Sequence, residues 1–390
     1  MIERSSAVTL RKLAESFPVV AIYGPRQSGK TTLARHMFGD LPYVSLENLD
    51  IREYARSDPR GFLTQYRDGA LFDEVHNAPG LLSYLQQIVD ESKALGRFVL
   101  TASQQYLFQE KLSQSLAGRV GALTLLPFSF SELDAAGVAP ASPDELLYKG
   151  LYPPVYDRPV PADFWYDNYV TTYLERDVRQ VLAVKDLVQF QRFLRLAAGR
   201  TGQLLNLSNL GDDVGISHNT AREWISVLEA GFVLFRLPPH HASFSKRLIR
   251  TPKLYFYDPG LAAWLLGIQT ADQLSLHPLR GALFETYVVA ELLKAMHNRA
   301  RQRSLYFWRD RSGLEIDALI DLAGSLYPVE VKAGATITEE MFRGLRRWRS
   351  LAGQRADFSY LVYGGRESQS RSDATVLPWD CPVPSVLREP

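Results

Sequence analysis

At 390 residues the chain is too long for one ordinary core and suits two or three domains of about 100–200 residues each. Hydrophobic residues at 46% and charged residues at 22% give a globular balance, and a net charge of +1 leaves any polyanion-binding surface to local patches. A single cysteine, Cys381, excludes an internal disulfide framework; with no basic-then-apolar leader and no apolar run long enough to span a bilayer, a cytoplasmic protein without membrane contact is expected.

The first third alternates β-branched runs with helical stretches. Strand-like segments fall at 19–23, 43–46, 70–72, 98–101 and 122–126, with helical patterns such as 81–88 and 106–116 between them. Strands apolar on both faces and separated by helices predict a mostly parallel sheet covered on both sides. Pro127 ends the last strand, and the stretch 135–143 reads as a linker or surface loop. Residues 164–200 carry a helical pattern. A short helix follows, then a turn at Gly215, a second helix from Ser217 to Ala230, and strand-like runs at 232–237 and 253–257. Two helices across a tight turn, followed by a hairpin, outline a winged helix-turn-helix. The last part reads helix 282–296, strands 305–308, 315–320 and 327–331, helix 339–348 and strand 358–362; residues after Ser368 are weakly specified.

Gly24-Pro25-Arg26-Gln27-Ser28-Gly29-Lys30-Thr31, continued by Thr32, follows the first strand and opens a helix. Glycines at this spacing let a backbone wrap a phosphate with its N–H groups turned inward. Lys30 would neutralise the β- and γ-phosphates of ATP, and the Thr31 hydroxyl would ligate Mg2+. The strand 70–72 runs into Asp73-Glu74, where Asp73 would hold the magnesium and Glu74 would polarise the attacking water. After the next strand, Ser103 and Gln104 are placed to contact the γ-phosphate or the water, or simply to cap the strand. Arg119, before the fifth strand, suits either a finger reaching a neighbour's nucleotide or a solvated helix end. The finger would make a ring or filament the active form.

Near the other end, Glu330 and Lys332 share one face of a strand, Asp317 ends an alternating strand before it, and Glu285 lies on the apolar stripe of a helix. Such a set could bind a second Mg2+ or Mn2+ through Asp317 and Glu330, with Lys332 orienting water and Glu285 completing the site. The alternative is a solvated strand face with a Glu–Lys pair. Arginines at 299, 301, 303, 309, 311, 343, 346, 347 and 349, interleaved with Tyr306, Phe307, Trp308 and Trp348, suit a phosphate-tracking surface or a solvated basic face. In the helix-turn-helix, His218, Asn219 and Arg222 lie near the start of the second helix, and Lys246 and Arg247 lie between the two strands; these are the candidate DNA contacts.

The order of the phosphate loop, Phe72-Asp73-Glu74, Ser115-Leu116-Ala117-Gly118-Arg119-Val120, Leu126-Pro127-Phe128, Tyr173-Leu174-Glu175-Arg176-Asp177 and Glu330-Val331-Lys332 resembles a widespread prokaryotic family. Its members join an AAA+-type ATPase domain to a C-terminal domain of unknown function grouped with the PD-(D/E)xK nucleases. The resemblance implies an α/β chain with four parts. An AAA+-like P-loop domain, a parallel sheet with helices on both faces, fills 1–140, and a helical linker and winged helix-turn-helix fill 141–275. An α/β nuclease-like domain fills 276–375, and 376–390 form a tail. The leading expectation is an oligomeric, DNA-binding ATPase, a ring such as a hexamer, that engages or remodels DNA, branched DNA included. Its rivals are an ATP-regulated, metal-dependent endonuclease and a nucleotide switch acting on a protein partner.

Overall fold

The computed structural model describes every residue except 93, 104–111, 113, 159, 175–185, 241–249, 302–303, 354–357 and 388–390, with the backbone alone for 173 and 174. It divides into two compact units, residues 1–128 with 230–232 and 297–301, and the rest of the chain.

In the first unit, β1 (Val19–Tyr23), β2 (Tyr43–Ser45), β3 (Ala70–Asp73), β4 (Phe98–Ala102) and β5 (Val120–Thr124) form a wholly parallel sheet in the order β2-β3-β4-β1-β5. The near-continuous apolar runs are buried on both faces, as period two requires. Val20, Ile22, Leu71, Val99 and Leu123 pack with Leu10 of α1 (Ala7–Ser16) and with Leu33 and Ala34 of α2 (Lys30–Met37). Val19, Ala21, Phe72 and Leu100 pack instead with Ala55 of α3 (Leu49–Ser57), Phe62 of α4 (Pro59–Thr64) and Leu81, Leu82 and Leu85 of α5 (Leu81–Asp90). Because β1 lies between β4 and β5, the chain leaving β1 crosses to the far side of β4, and a crevice opens at the carboxyl ends of the strands. The loop after β1 and the polar residues ending β3 and β4 share that edge.

In the second unit, Ser129 and Glu132 form a reciprocal capping box at the start of α6 (Phe130–Ala135). Helix α7 (Leu187–Ala198) precedes α8 (Leu207–Val214), which ends at Gly215 in the left-handed region with φ +81°. Ser217 Oγ then accepts the Thr220 N–H at 3.1 Å, capping α9 (His218–Ala230). A small sheet of β6 (Gln203–Leu204), β7 (Leu234–Leu237) and β8 (Lys253–Phe256) has β8 in the middle, antiparallel to both neighbours. Buried Asp258 fixes the end of β8: it caps α10 (Pro259–Leu265) through the Leu261 N–H at 2.8 Å and accepts the Leu151 N–H at 2.7 Å.

Helix α11 (Arg280–His297) leads into β9 (Leu305–Arg309), β10 (Glu315–Leu322) and β11 (Ser325–Lys332), an antiparallel meander. After α12 (Arg343–Ala352), β12 (Tyr360–Tyr363), β13 (Gln369–Ser370) and β14 (Thr375–Pro378) extend the sheet, with β12 and β14 parallel to β11. The register slips between Ile316 and Leu319, so that Asp317 and Ala318 together face Phe307. Such a bulge re-aims side chains, here at Asp317. The weakly specified segment after Ser368 thus contributes two strands and a buried Trp379, whose carbonyl accepts the Tyr287 hydroxyl at 2.9 Å. Both strands are too short to show a period, which hid them in the sequence. Among the described residues, no helix is long and apolar enough to cross a membrane.

Candidate functional site

The loop after β1 is shaped by two glycines for different reasons. A Cβ on Gly24 would lie 2.1 Å from the Leu125 carbonyl oxygen, so only glycine lets the loop pass the end of β5. Gly29 takes φ +92° and starts α2, while Gln27 also adopts a positive φ of 61°. Left-handed residues in succession curl the backbone into a concave nest of N–H groups facing a helix N-terminus, a ready anion cradle. Lys30 Nζ, buried, donates to the Gly24 and Pro25 carbonyls at 3.1 and 2.8 Å. Burial lowers its pKa from the usual lysine value. The Ser28 hydroxyl is buried in the same loop without a hydrogen-bond partner. Thr32 follows on α2, and Arg26 NH1 approaches Glu47 Oε1 at 4.0 Å.

The structure brings this loop against the acidic pair. Thr31 Oγ1 donates to Asp73 Oδ1 at 2.8 Å, Thr101 Oγ1 donates to the same oxygen, and the Tyr43 hydroxyl donates to Asp73 Oδ2 at 2.9 Å. Burial and the Asp73 carboxylate push the Tyr43 phenol up to about 12. A hydroxyl and a carboxylate in hydrogen-bond contact at the helix start form the hard-oxygen set that magnesium requires, so these residues fit the ion. Glu74 has φ 54° and ψ 48°, left-handed for a non-glycine, and its N–H donates to Thr101 Oγ1 at 3.0 Å. Its Oε2 accepts the Ser103 N–H at 3.0 Å and lies 3.0 Å from His76 Nδ1. Burial presses this carboxyl upward, but His76 and the charges of Lys30 and Arg26 outweigh it and hold the group at about 2.

Several supporting residues were not found in the sequence. Arg4 is buried before α1 and donates to the Ser28 carbonyl at 2.8 Å and the Leu126 carbonyl at 2.6 Å. Its guanidinium also stacks 4.8 Å from the centroid of Phe128, pinning the phosphate loop to the chain that leaves β5. Tyr43, Thr101 and His76 likewise act through the acidic pair. Of the other expected groups, Ser103 is buried beside Glu74 with its hydroxyl unpartnered among the described residues, and Gln104 lies outside them. Arg119 sits at the opposite edge of the sheet, where its carbonyl accepts the Val19 N–H at 3.2 Å. Its guanidinium forks onto Asp90, with NH2 to Oδ2 at 2.9 Å, and therefore turns away from its own phosphate loop.

In the second unit, Glu285, Asp317, Glu330 and Lys332 come together, joined by residues the sequence reading missed. Lys332 Nζ contacts Glu330 Oε1 at 2.6 Å and Asp317 Oδ2 at 3.9 Å, while Asp317 Oδ2 accepts the Val331 N–H at 2.8 Å. Lys253 from β8 donates to Glu285 Oε1 at 2.8 Å and also pairs with Glu315. The Tyr255 hydroxyl donates to the same Glu285 oxygen, and Arg309 NH1 meets Glu315 Oε2 at 2.9 Å. Burial, and then the Asp317 charge, push Glu285 up to about 7 and Glu330 up to about 8. Among the described residues, no three His, Cys, Asp or Glu side chains are arranged to hold a metal ion. With Glu285 and Glu315 committed to an ammonium and one Asp317 oxygen to a backbone N–H, this set does not fit a divalent cation. A signal was available: Lys253 and Tyr255 are two apart on a strand and so share a face.

His218, Asn219 and Arg222 are exposed on α9, with Arg222 NH2 3.3 Å from His218 Nδ1; Lys246 and Arg247 lie outside the described residues. Part of the basic flank is paired locally. Arg343 NH1 pairs with Glu340 at 3.1 Å, and Arg346 pairs with Glu339 and with Asp373, the latter at 2.8 Å.

Residues 16–134 match the family model described as an AAA domain. Residues 141–272 and 280–381 match two further models, each described as a domain of unknown function, DUF8612 and DUF4143. The chain is 31% identical over 376 residues to the uncharacterized protein Rv2008c of Mycobacterium tuberculosis, covering 96% of this chain and 82% of that one. It is equally similar to the uncharacterized protein Mb2031c of Mycobacterium bovis, again 31% identical with the same coverage. Among solved structures, a Walker-type ATPase of Pyrococcus abyssi is similar at 14% identity and a TM-score of 0.46, over 68% of this chain and 96% of that one. Domain III of the replication initiation protein DnaA of Thermotoga maritima is similar at 17% identity and a TM-score of 0.26, over 57% of this chain and 88% of that one.

Proposed function

The chain belongs to the family of AAA-domain proteins that includes the mycobacterial protein Rv2008c, and from that premise we propose an oligomeric ATPase that couples ATP binding and hydrolysis to engaging DNA. The observation that carries the ATPase reading is the 2.8 Å contact between Thr31 Oγ1 and Asp73 Oδ1, two side chains 42 residues apart. It joins the phosphate loop to the acidic pair in the arrangement that nucleotide hydrolysis needs.

The backbone N–H groups of the loop after Pro25, on to Thr32, cradle the β-phosphate. Lys30, already facing the loop, exchanges the Gly24 and Pro25 carbonyls for phosphate oxygens, whose negative charge restores what burial takes from its proton affinity. Thr31 and Asp73 would hold the magnesium ion, which supplies charge neutralisation at the β- and γ-phosphates. Glu74 orients the attacking water. Held at about 2, it is too weak a base to take a proton outright, so it works by hydrogen-bonding the water and must first leave His76. Ser103 lies on the same edge, buried beside Glu74. Arg119 would serve a neighbouring subunit's nucleotide after leaving Asp90, which makes turnover depend on assembly.

Support for DNA comes from α8, Gly215, α9 and the β7–β8 hairpin, the element order of a winged helix-turn-helix, with His218, Asn219 and Arg222 exposed at the start of its second helix. ATP hydrolysis by wild type and Lys30→Ala, with and without duplex, single-stranded and branched DNA at low salt, tests the proposal. Stimulation of the wild type alone is expected. Turnover indifferent to every DNA would overturn the DNA part, and turnover retained in Lys30→Ala would overturn the site. A second reading, a slow nucleotide switch for a protein partner, is favoured by the tie between Glu74, His76 and the Ser103 N–H. DNA-indifferent hydrolysis would select it.

A further inference from the structure

The carboxylate cluster of the second unit carries its own cation. Lys253 reaches it from β8 with only 2% of its surface exposed, its Nζ on Glu285 at 2.8 Å and paired to Glu315. The ammonium is further enclosed by aromatic rings, 5.9 Å from the centroid of Tyr255 and 5.7 Å from that of Phe307. A buried ammonium is tolerated only when paired, and buried carboxylates equally need a positive partner. Each side therefore satisfies the other. Lys332 does the same for Glu330 on its own strand, β11, and for Asp317 on the adjacent β10.

We infer that Lys253 is the resident cation of this cluster, taking the coordination that a divalent metal would need, and that β8 thereby closes the nuclease-like site to metal. A contrary feature is the second oxygen of Glu330, which is buried without a hydrogen-bond partner among the described residues. One oxygen of each carboxylate is taken: Glu285 Oε1 by Lys253 and Tyr255, Glu330 Oε1 by Lys332, and Asp317 Oδ2 by the Val331 N–H. A divalent ion on the remaining oxygens would have to sit beside two ammonium ions, Lys253 and Lys332, and be repelled by both. This inference stands apart from the ATP site and from any reading of DNA binding.

The test is Mn2+ titration of the nucleotide-free full chain, followed by electron paramagnetic resonance. The proteins are wild type, Lys253→Met, Asp317→Asn and the double variant. Asn at 317 keeps an acceptor for the Val331 N–H, so that substitution removes the charge and spares the fold. Dependence on Asp317 separates this cluster from the acidic pair near Lys30. Wild type is expected to hold no Mn2+ that Asp317→Asn removes. Lys253→Met should gain about one Mn2+ per chain, at least about tenfold tighter than wild type, and the double variant should lose it. An Asp317-dependent Mn2+ site in the wild type would overturn the inference, as would a folded Lys253→Met chain that gains none. Should Lys253→Met not fold, Lys253→Arg, which keeps the charge, takes its place. It must bind no more Mn2+ than wild type, and an Asp317-dependent gain there would equally overturn the inference.

Discussion

Asp73 and Glu74 at one place in this chain, and Glu285, Asp317 and Glu330 at another, are both groups of buried or half-buried carboxylates at strand or helix positions, yet they are treated in opposite ways. The first pair is held mainly by uncharged donors: the Thr31, Thr101 and Tyr43 hydroxyls on Asp73 and the Ser103 N–H on Glu74. The nearby lysine is occupied by backbone carbonyls instead. Glu74 stays ionised, at about 2, through His76 and the more distant charges of Lys30 and Arg26. In the second group ammonium ions join the donors, and burial beside Asp317 pushes Glu285 and Glu330 up to about 7 and about 8. Hydroxyls can turn toward a metal or a phosphate with little cost, whereas a buried lysine cannot leave without exposing uncompensated charge. The donors around a carboxylate, more than its burial, separate a site open to incoming ligands from one that is closed.

The largest effect that would break this contrast lies at Glu74. Glu74→Gln keeps acceptance from the Ser103 N–H but removes the charge that orients water. ATP turnover should fall by about 10²–10⁴-fold, while ATP affinity, measured by equilibrium binding, stays within a few-fold. His76→Ala should move the other way and raise turnover by a few-fold at saturating ATP, because the carboxylate is freed from its nearest partner. If both substitutions lower turnover equally, His76 supports catalysis instead of restraining it, and the open site loses its latch.

A smaller effect is expected at Arg4, which organises the open site without touching the phosphate. Arg4→Ala removes the charged donors on the Ser28 and Leu126 carbonyls and leaves both without that partner. The cost should be about 2 kcal/mol of loop order, read as an ATP affinity weaker by roughly 10–30-fold with kcat little changed. Arg4→Lys should not rescue it, since a compact ammonium lacks the planar guanidinium that reaches both carbonyls while stacking on Phe128. Wild-type affinity in Arg4→Ala would show that the loop keeps its shape through Gly24 and Gly29 alone.

What could be read from the sequence divides along the same line. The phosphate loop was legible because Gly24, Gly29, Lys30 and Thr31 form a local pattern, and Asp73-Glu74 because an apolar strand runs straight into them. Glu330 and Lys332 were legible as neighbours on one strand face. Arg4, Tyr43 and Lys253 were not, since each meets its partner through the tertiary fold: Arg4 contacts Leu126, and Lys253 contacts Glu285 and Glu315. Nothing in the residues around Lys253 marks it as internal except the apolar run it opens, Lys253-Leu254-Tyr255-Phe256. The bulge at Asp317 was equally hidden, because an extra residue on one strand leaves the alternation of its neighbours intact.

The smallest effect sharpens the comparison through pH. Glu285 and Glu330 lie near about 7 and about 8 when folded, against an ordinary value of 4.5, so between those values the folded chain holds protons that the unfolded chain has released. By linkage, this contribution to stability is complete below 4.5 and disappears as the pH rises through about 8. Glu74, depressed to about 2, works in the opposite sense: its contribution is present above 4.5 and is lost as the pH falls through about 2. Glu330→Gln mimics the protonated acid and keeps an acceptor for Lys332. The urea midpoint of the variant should match wild type near pH 5 and exceed it near pH 8, giving a flatter profile across the range (roughly pH 5–8) where the closed cluster titrates. Parallel profiles would mean that Glu330 stays ionised beside Lys332. The closed cluster would then be a fully charged network and would differ from the open one in its partners alone.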